Sequence, residues 1–229
     1  KRSTTDVFFG GDSIFSSKPV VLQAVSTYGL SFGSANADTT LEASAIVSPG
    51  ELLDKNSDNE FGSARSGASA RYVVSTARAQ HTRYLPYDFS ASLLVEGRYA
   101  FSRVLPSERF SAGGPGSVRG YEPSALTGDR GYRVRFALET PDQEIFGALA
   151  PWLSDRARLS LFTDFAQAWT IDADAFEDRG GTLWTAGVGL SYDLLPYLSG
   201  VVEYAYPLMT QAEREANLNR LQFSVVAGY

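Results

Sequence analysis

GTLWTAGVGLSYDLLPYLSGVVEYAY, residues 181–206, decides the fold. Trp184, Ala186, Val188, Leu190 and Tyr192 fall on alternate positions, with Thr185, Gly187, Gly189 and Ser191 between them. A period of two puts successive side chains on opposite faces of a strand, so one face is greasy and the other small or polar. Leu194-Leu195-Pro196 then reverses the chain, and a second strand follows over 197–206. Strands of soluble proteins average about 5–6 residues. These are longer.

The same pattern recurs outward from this hairpin. Leu221, Phe223, Val225, Ala227 and Tyr229 alternate with Gln222, Ser224 and Gly228 at the C-terminus. Tyr132, Val134, Phe136 and Leu138 alternate with Arg133, Arg135 and Glu139, so three charges share one face of a strand. Phe89, Ala91, Leu93, Val95, Tyr99 and Phe101 alternate with Ser90, Ser92, Glu96 and Arg98, and Val20, Leu22, Ala24, Tyr28, Leu30 and Phe32 form another even-numbered face. The expected strands are 3–9, 19–33, 68–84, 88–103, 130–140, 157–170, 181–193, 197–206 and 219–229. Residues 39–47 are assigned to a loop, because a strand there is expected to set the short turns on opposite sides. No segment carries a helical period.

Composition narrows the environment. The net charge of −6 disfavours nucleic acid, whose phosphates call for a basic surface. With no Cys and a single His, Cys-based zinc sites, thiol catalysis and disulfides are excluded. Seventeen of the 20 basic residues are Arg, the cation that best satisfies several acceptors in a crowded polar interior. No apolar run approaches the ~20 residues of a spanning helix. A membrane strand needs only about 9–11 residues, alternating lipid-facing and lumen-facing side chains, and the segments above meet that length.

Tight turns at 81–88 and 193–197 alternate with long linkers at 34–66, 104–129 and 207–218 and a shorter one at 171–180. This is the asymmetry of outer-membrane barrels, with short periplasmic turns and long outer loops, and only Pro141–Arg156 is long on the short side. Tyr84, Tyr87, Trp169, Trp184, Tyr192, Tyr197, Tyr204 and Tyr206 sit near strand ends, as aromatic girdles do; a 13% aromatic content feeding a β core would give the same count. Nine strands leave open edges that lipid does not tolerate, and barrels of this kind have even strand numbers. The chain opens at Lys1 without a signal peptide and on the end of a strand, so it is expected to be a piece of a longer barrel completed by missing N-terminal strands or another chain.

The linker 104–129, read in LPSERFSAGGPGSVRGYEPSALTGDRG at Leu105–Gly131, holds the least ordinary residues of the chain. Gly113, Gly114 and Gly116, with Pro115, permit tight reversals, and Arg119 sits among small neighbours. SERFSAGGPGSVRGY at 107–121, followed by GDRGYRVRFALET at 128–140, resembles the two-partner secretion transporters (TpsB type) of the outer-membrane barrel-assembly and translocation superfamily. Val118-Arg119-Gly120-Tyr121 is similar to the superfamily signature, and Ser107-Glu108, Gly128-Asp129-x-Gly131 and Glu139 narrow the resemblance to the secretion branch. The second element, Phe162-Thr163-Asp164-Phe165-Ala166, has Ala where the family pattern has Gly. Residues 67–229 carry the resemblance well; residues 1–66 carry it only by strand pattern.

The resemblance implies an all-β fold, a transmembrane antiparallel β-barrel of sixteen strands of which residues 1–229 are the C-terminal part, with N-terminal POTRA domains and first strands absent. It implies a pore that secretes an unfolded TpsA-type exoprotein, without cofactor or catalysis. Loop 104–129 is expected to fold into the lumen, hinged at Gly113, Gly114 and Gly116, with Arg119 meeting Asp164 beside Phe162 on the inner wall. The alternation agrees with this, since Leu159, Leu161, Phe165 and Trp169 share one face and Asp164 lies on the other. Glu96, Arg98, Arg133, Arg135, Glu139 and Glu203 fall on polar faces, either lining a hydrated path or stiffening the wall by ion pairs. The last strand, with Phe223 and Tyr229, is similar to the aromatic-terminated signal read by the barrel-assembly machinery. Outer-membrane lipid and lipopolysaccharide complete the expected surroundings.

Three other readings compete. An insertase-type relative that assembles barrels shares the motifs. A hydrolase lacks a base, since His81 beside a Pro turn reads as a rim residue far from any nucleophile motif. A soluble β-sandwich would leave Arg119 unpaired. Asp172-x-Asp174 reads as plain solvated charge rather than a Ca²⁺ loop.

Overall fold

The computed structural model describes residues 5–9, 12–17, 19–145, 154–195, 198–209 and 220–227. The elements in chain order are β1 (Thr5–Phe9), β2 (Asp12–Ser17), β3 (Ala24–Ser34), β4 (Ala37–Pro49), helix α1 (Asp58–Ala64), β5 (Arg71–Tyr84), β6 (Ser90–Ala100), β7 (Phe110–Ala112), β8 (Leu126–Gly128), β9 (Arg130–Glu139), β10 (Ser154–Trp169), β11 (Gly180–Leu195), β12 (Leu198–Pro207) and β13 (Arg220–Ala227). Nine of them form one antiparallel sheet in the order β13-β12-β11-β10-β9-β6-β5-β4-β3. It is a meander interrupted once, where the β7–β8 hairpin is inserted between β6 and β9. Among the described residues the sheet is open, with β3 and β13 at its edges.

Register keeps each face uniform across the wall. Asp164 of β10 lies opposite Arg135 on one side and Thr185 on the other, while Phe165 lies opposite Val134 and Trp184. Leu30, Leu41, Val95, Leu159, Leu161, Trp184, Val188, Tyr204, Tyr206, Leu221 and Phe223 all point to the outer face and are exposed to the surroundings. Exposed apolar side chains in continuous rows are what hydrocarbon covers. Facing inward are most of the wall's charges, among them Glu96, Arg133, Arg135, Asp164 and Glu203, together with Gly131, Gly187 and the small side chains Ala166, Ala168 and Ala205. The core therefore lies between the inner face and the inserted loops, in two clusters. Phe110, Ala112, Val118, Leu126, Ala166, Ala168 and Leu183 form one, and Phe61, Tyr72, Val74, Ala100, Val104 and Leu105 belong to the other.

Three expectations are corrected. Residues 39–47 are not loop but lie in β4, joined to β3 by a turn at Ala35-Asn36. A strand added upstream brings one short and one long connection with it, and the short one falls at the same end as the 85–89 turn and the β11–β12 connection. Parity was thus no objection to the strand. Second, residues 3–9 do not join the wall: β1 pairs only with β2 in a separate hairpin. Third, the linker 34–66 holds a helix. Ser57 caps α1 by accepting from the Glu60 amide at 3.4 Å, Asp58 and Glu60 stand in its first turn, and Phe61 is fully buried beneath it.

Candidate functional site

The β7–β8 hairpin lies on the inner face of β9–β11 because the sequence leaves room for it. At Gly131 a Cβ would meet the Phe110 ring at 2.3 Å, so glycine on the wall admits the hairpin's aromatic anchor. At Gly120, with φ +87°, a Cβ would meet Ala205 Cβ at 3.0 Å and Thr185 Oγ1 at 3.3 Å. Both the left-handed backbone and the close approach require glycine there. Val118 is fully buried between hairpin and wall, and so is Ala166, the residue that replaces the family's glycine.

Arg119 then reaches its partner. Nε donates to Asp164 Oδ2 at 2.6 Å, Nη2 to Oδ1 at 2.7 Å, and the Arg119 amide to Oδ2 at 3.2 Å. Nη1 donates to Glu203 Oε1 at 2.8 Å, and the guanidinium carbon stands 3.4 Å from the centre of the Phe162 ring. Asp164 is fully buried and Arg119 6% exposed. The clamp is sealed under the hairpin. A second cation, Arg135, approaches Asp164 Oδ1 at 3.4 Å and gives Nη1 to the Gly116 carbonyl at 3.3 Å. Two arginines thus face two carboxylates, and the cluster is neutral. Burial opposes the charge on Arg119, but the bonds to Asp164 and Glu203 outweigh it and raise its pKa.

Tyr121 closes the signature from the next position. Its hydroxyl lies 2.6 Å from the Met209 carbonyl, 2.8 Å from the Trp184 carbonyl and 3.3 Å from the Trp184 amide. The other predicted charges are paired too: Arg133 with Glu96 at 2.9 Å, Arg98 with Glu108 at 3.7 Å, and Glu139 with Arg158 at 3.1 Å. Gly113 and Gly114 have positive φ, +115° and +90°; Gly116 has open space around it. Phe223 points outward on β13, and Tyr229 lies outside the described residues. His81 is exposed on the outer face near the short turn, 2.8 Å from Thr39 Oγ1.

Sequence reading missed a second polar cluster, at the end of the long loops. Arg65, just past α1, grips the fully buried Asp129 with Nη1–Oδ1 at 2.5 Å and Nη2–Oδ2 at 2.8 Å, and binds the Val104 carbonyl and Glu177 at 2.6 Å each. Asp129 also accepts the amides of Val104 at 3.3 Å and Ile171 at 2.9 Å. Arg103 joins Glu177 at 2.7 Å, Asp174 at 3.3 Å and the Asp172 carbonyl. Asp174 is therefore tied into this latch by its carboxylate, whereas Asp172 joins it through its backbone carbonyl and stays exposed. Burial pushes the Asp129 pKa up, but the bonds from Arg65 and the Ile171 amide pull it lower overall, and Glu177 is lowered in the same way.

A one-sided apolar wall with a loop folded against its inner face defines a class: a transmembrane antiparallel β-barrel of the outer membrane, carrying an inserted hairpin. Residues 18–192 match the sequence model of the haemolysin secretion/activation proteins ShlB/FhaC/HecB, and the chain belongs to that family. Among solved structures it is similar to CdiB from Escherichia coli, with a TM-score of 0.67 and 20% identity over 96% of this chain. It is also similar to BamA from Haemophilus ducreyi lacking POTRA domains 1-3, with a TM-score of 0.56 and 18% identity over 94% of this chain. The chain spans 37% and 43% of those two chains, and at these identities the likeness is one of fold. No match is found among curated protein sequences.

Proposed function

We propose that these residues are the C-terminal part of a sixteen-stranded pore that passes an unfolded TpsA-type exoprotein to the cell surface, and that loop 104–129 is its lumen plug. The observation that carries the reading is the family match joined to the sealed Arg119–Asp164 clamp. A bidentate, charge-assisted pair at a single point fixes a hairpin strongly yet releases it as one unit. Gly113, Gly114 and Gly116 supply the bends, and the charges Glu96, Arg98, Arg133, Arg135, Glu139 and Glu203 keep the passage polar while their pairing avoids one-sided attraction for a passing chain. The work is conduction, with no catalytic group or cofactor assigned. POTRA domains upstream capture the substrate, and the barrel-assembly machinery reads the last strand with Phe223 and Tyr229.

A barrel-inserting role is the second reading, and the match to BamA is weaker than that to CdiB. Secretion of the cognate exoprotein by cells carrying Arg119→Ala separates structure from transport. Export is expected to fall several-fold while heat-modifiable, folded barrel stays at the wild-type level. Equal loss of both would contradict the reading.

A further inference from the structure

The outer face carries a depression that the secretion reading does not use. One row of the sheet runs Tyr28–Ala43–Ala77–Gly97–Tyr132, three small residues between two tyrosines. The adjacent row, one step toward the long loops, runs Ser26–Ala45–Ser75–Tyr99–Arg130–Trp169. Together they line a hollow of about 990 Å³ on the outer face.

Gly97 has no internal reason to be glycine. A Cβ there meets nothing nearer than the Gly131 carbonyl at 4.0 Å, and its backbone is ordinary strand. Glycine weakens a strand interior and marks places where something outside the chain comes close.

Arg130 stands at the edge of this hollow with its charge unspent. Arg119, Arg133, Arg135 and Arg158 each face a carboxylate on the inner side. Arg130 has none among the described residues. Its guanidinium lies 4.2 Å from the centre of the Tyr99 ring, and Nε donates to the Ala100 carbonyl at 3.0 Å, which aims the planar group without neutralising it. Trp169 and Tyr132, with ring centres 5.9 Å apart, flank it. Short turns mark the periplasmic end, so Arg130, the first residue after the long loop, lies at the extracellular girdle. A lipid-facing arginine costs little at that depth and much more at the midplane.

The lipid of the outer leaflet there is a phosphorylated, multiply acylated glycolipid. We propose that this hollow is a site for one such molecule: an acyl chain lies over Ala43, Ala77 and Gly97, and a phosphate accepts from the free Nη groups of Arg130. A dianionic phosphate is the acceptor that a guanidinium fork matches best. The inference needs only the membrane placement and stands apart from what the pore carries.

The test uses the intact barrel protein, delipidated in detergent and offered Kdo2-lipid A, the same glycolipid without its phosphates, or phosphatidylglycerol, with bound lipid counted by native mass spectrometry. Wild-type protein is expected to hold one phosphorylated glycolipid. Arg130→Gln is expected to bind about tenfold less, as for loss of a charge-assisted bond. Gly97→Leu, which fills the floor while leaving the cation, is expected to lose retention comparably, with folded barrel verified by heat-modifiable migration. Unchanged retention in either variant would overturn the proposal, and so would equal binding of the dephosphorylated glycolipid or of phosphatidylglycerol.

Discussion

Arg119 holds its place by satisfying geometry on every side: two nitrogens on Asp164, one on Glu203, and the Phe162 ring beneath the guanidinium plane. Such a group is expensive to bury and more expensive to orphan. Asp164→Asn keeps the shape but leaves Arg119 and Arg135 facing an amide, and breaking a buried pair costs about 3–5 kcal/mol. Arg135→Gln is a milder change, because that side chain is 24% exposed and its bond is long, 3.4 Å. Hydrogen exchange over 118–121 is expected to speed up strongly in the first variant and slightly in the second. Equal effects would show that the cluster does not centre on Asp164.

At the scale of elements, the latch joins α1, the start of the long loop and the 171–177 connection through Asp129. Its pH response follows from sign. The Asp129 pKa is lower in the folded protein than its ordinary value of about 3.9, so its contribution is complete above that value and is lost as pH falls through the lowered one. Exchange protection over 58–65 and 171–177 is therefore expected to be constant from pH 7 to 5, to weaken only below about 3.9 and to be lost as pH falls through the lowered value. Asp129→Asn is expected to loosen both segments at neutral pH; intact protection in that variant would deny the latch its anchor. Little of this was legible. Asp129 stood in the recognisable Gly128-Asp129-x-Gly131 run, but Arg65 is 64 residues away in a Ser- and Gly-rich stretch that reads as bare loop. Only the folding of the loops brings the two together. β4 escaped for a different reason: a strand over 39–47 was expected to set the short turns on opposite sides, and the turn at Ala35-Asn36 that keeps them at one end went unread. Where large side chains alternate, as in β9 to β12, the strands and their faces could be read directly, and so could the placing of Asp164 opposite the greasy row.

At the scale of the whole molecule, the wall is unfinished among the described residues. β3 and β13 each leave a row of backbone donors and acceptors that hydrocarbon cannot satisfy, at several kcal/mol per unpaired group. Residues 1–229 expressed by themselves are expected to stay out of lipid vesicles and to run without heat-modifiable migration, while the intact barrel inserts and shows it. Stable insertion of the piece would mean that its edges close on each other.

The central claim is that the hairpin rests on the inner wall, held by the pair at its tip, and it is most directly tested by photo-crosslinking from position 116, where a side chain meets open space beside Arg135. In resting protein a benzophenone side chain there is expected to link within the chain to β9, and Asp164→Asn is expected to abolish most of that product. No internal link in the wild type, or the same yield in both proteins, would contradict the account.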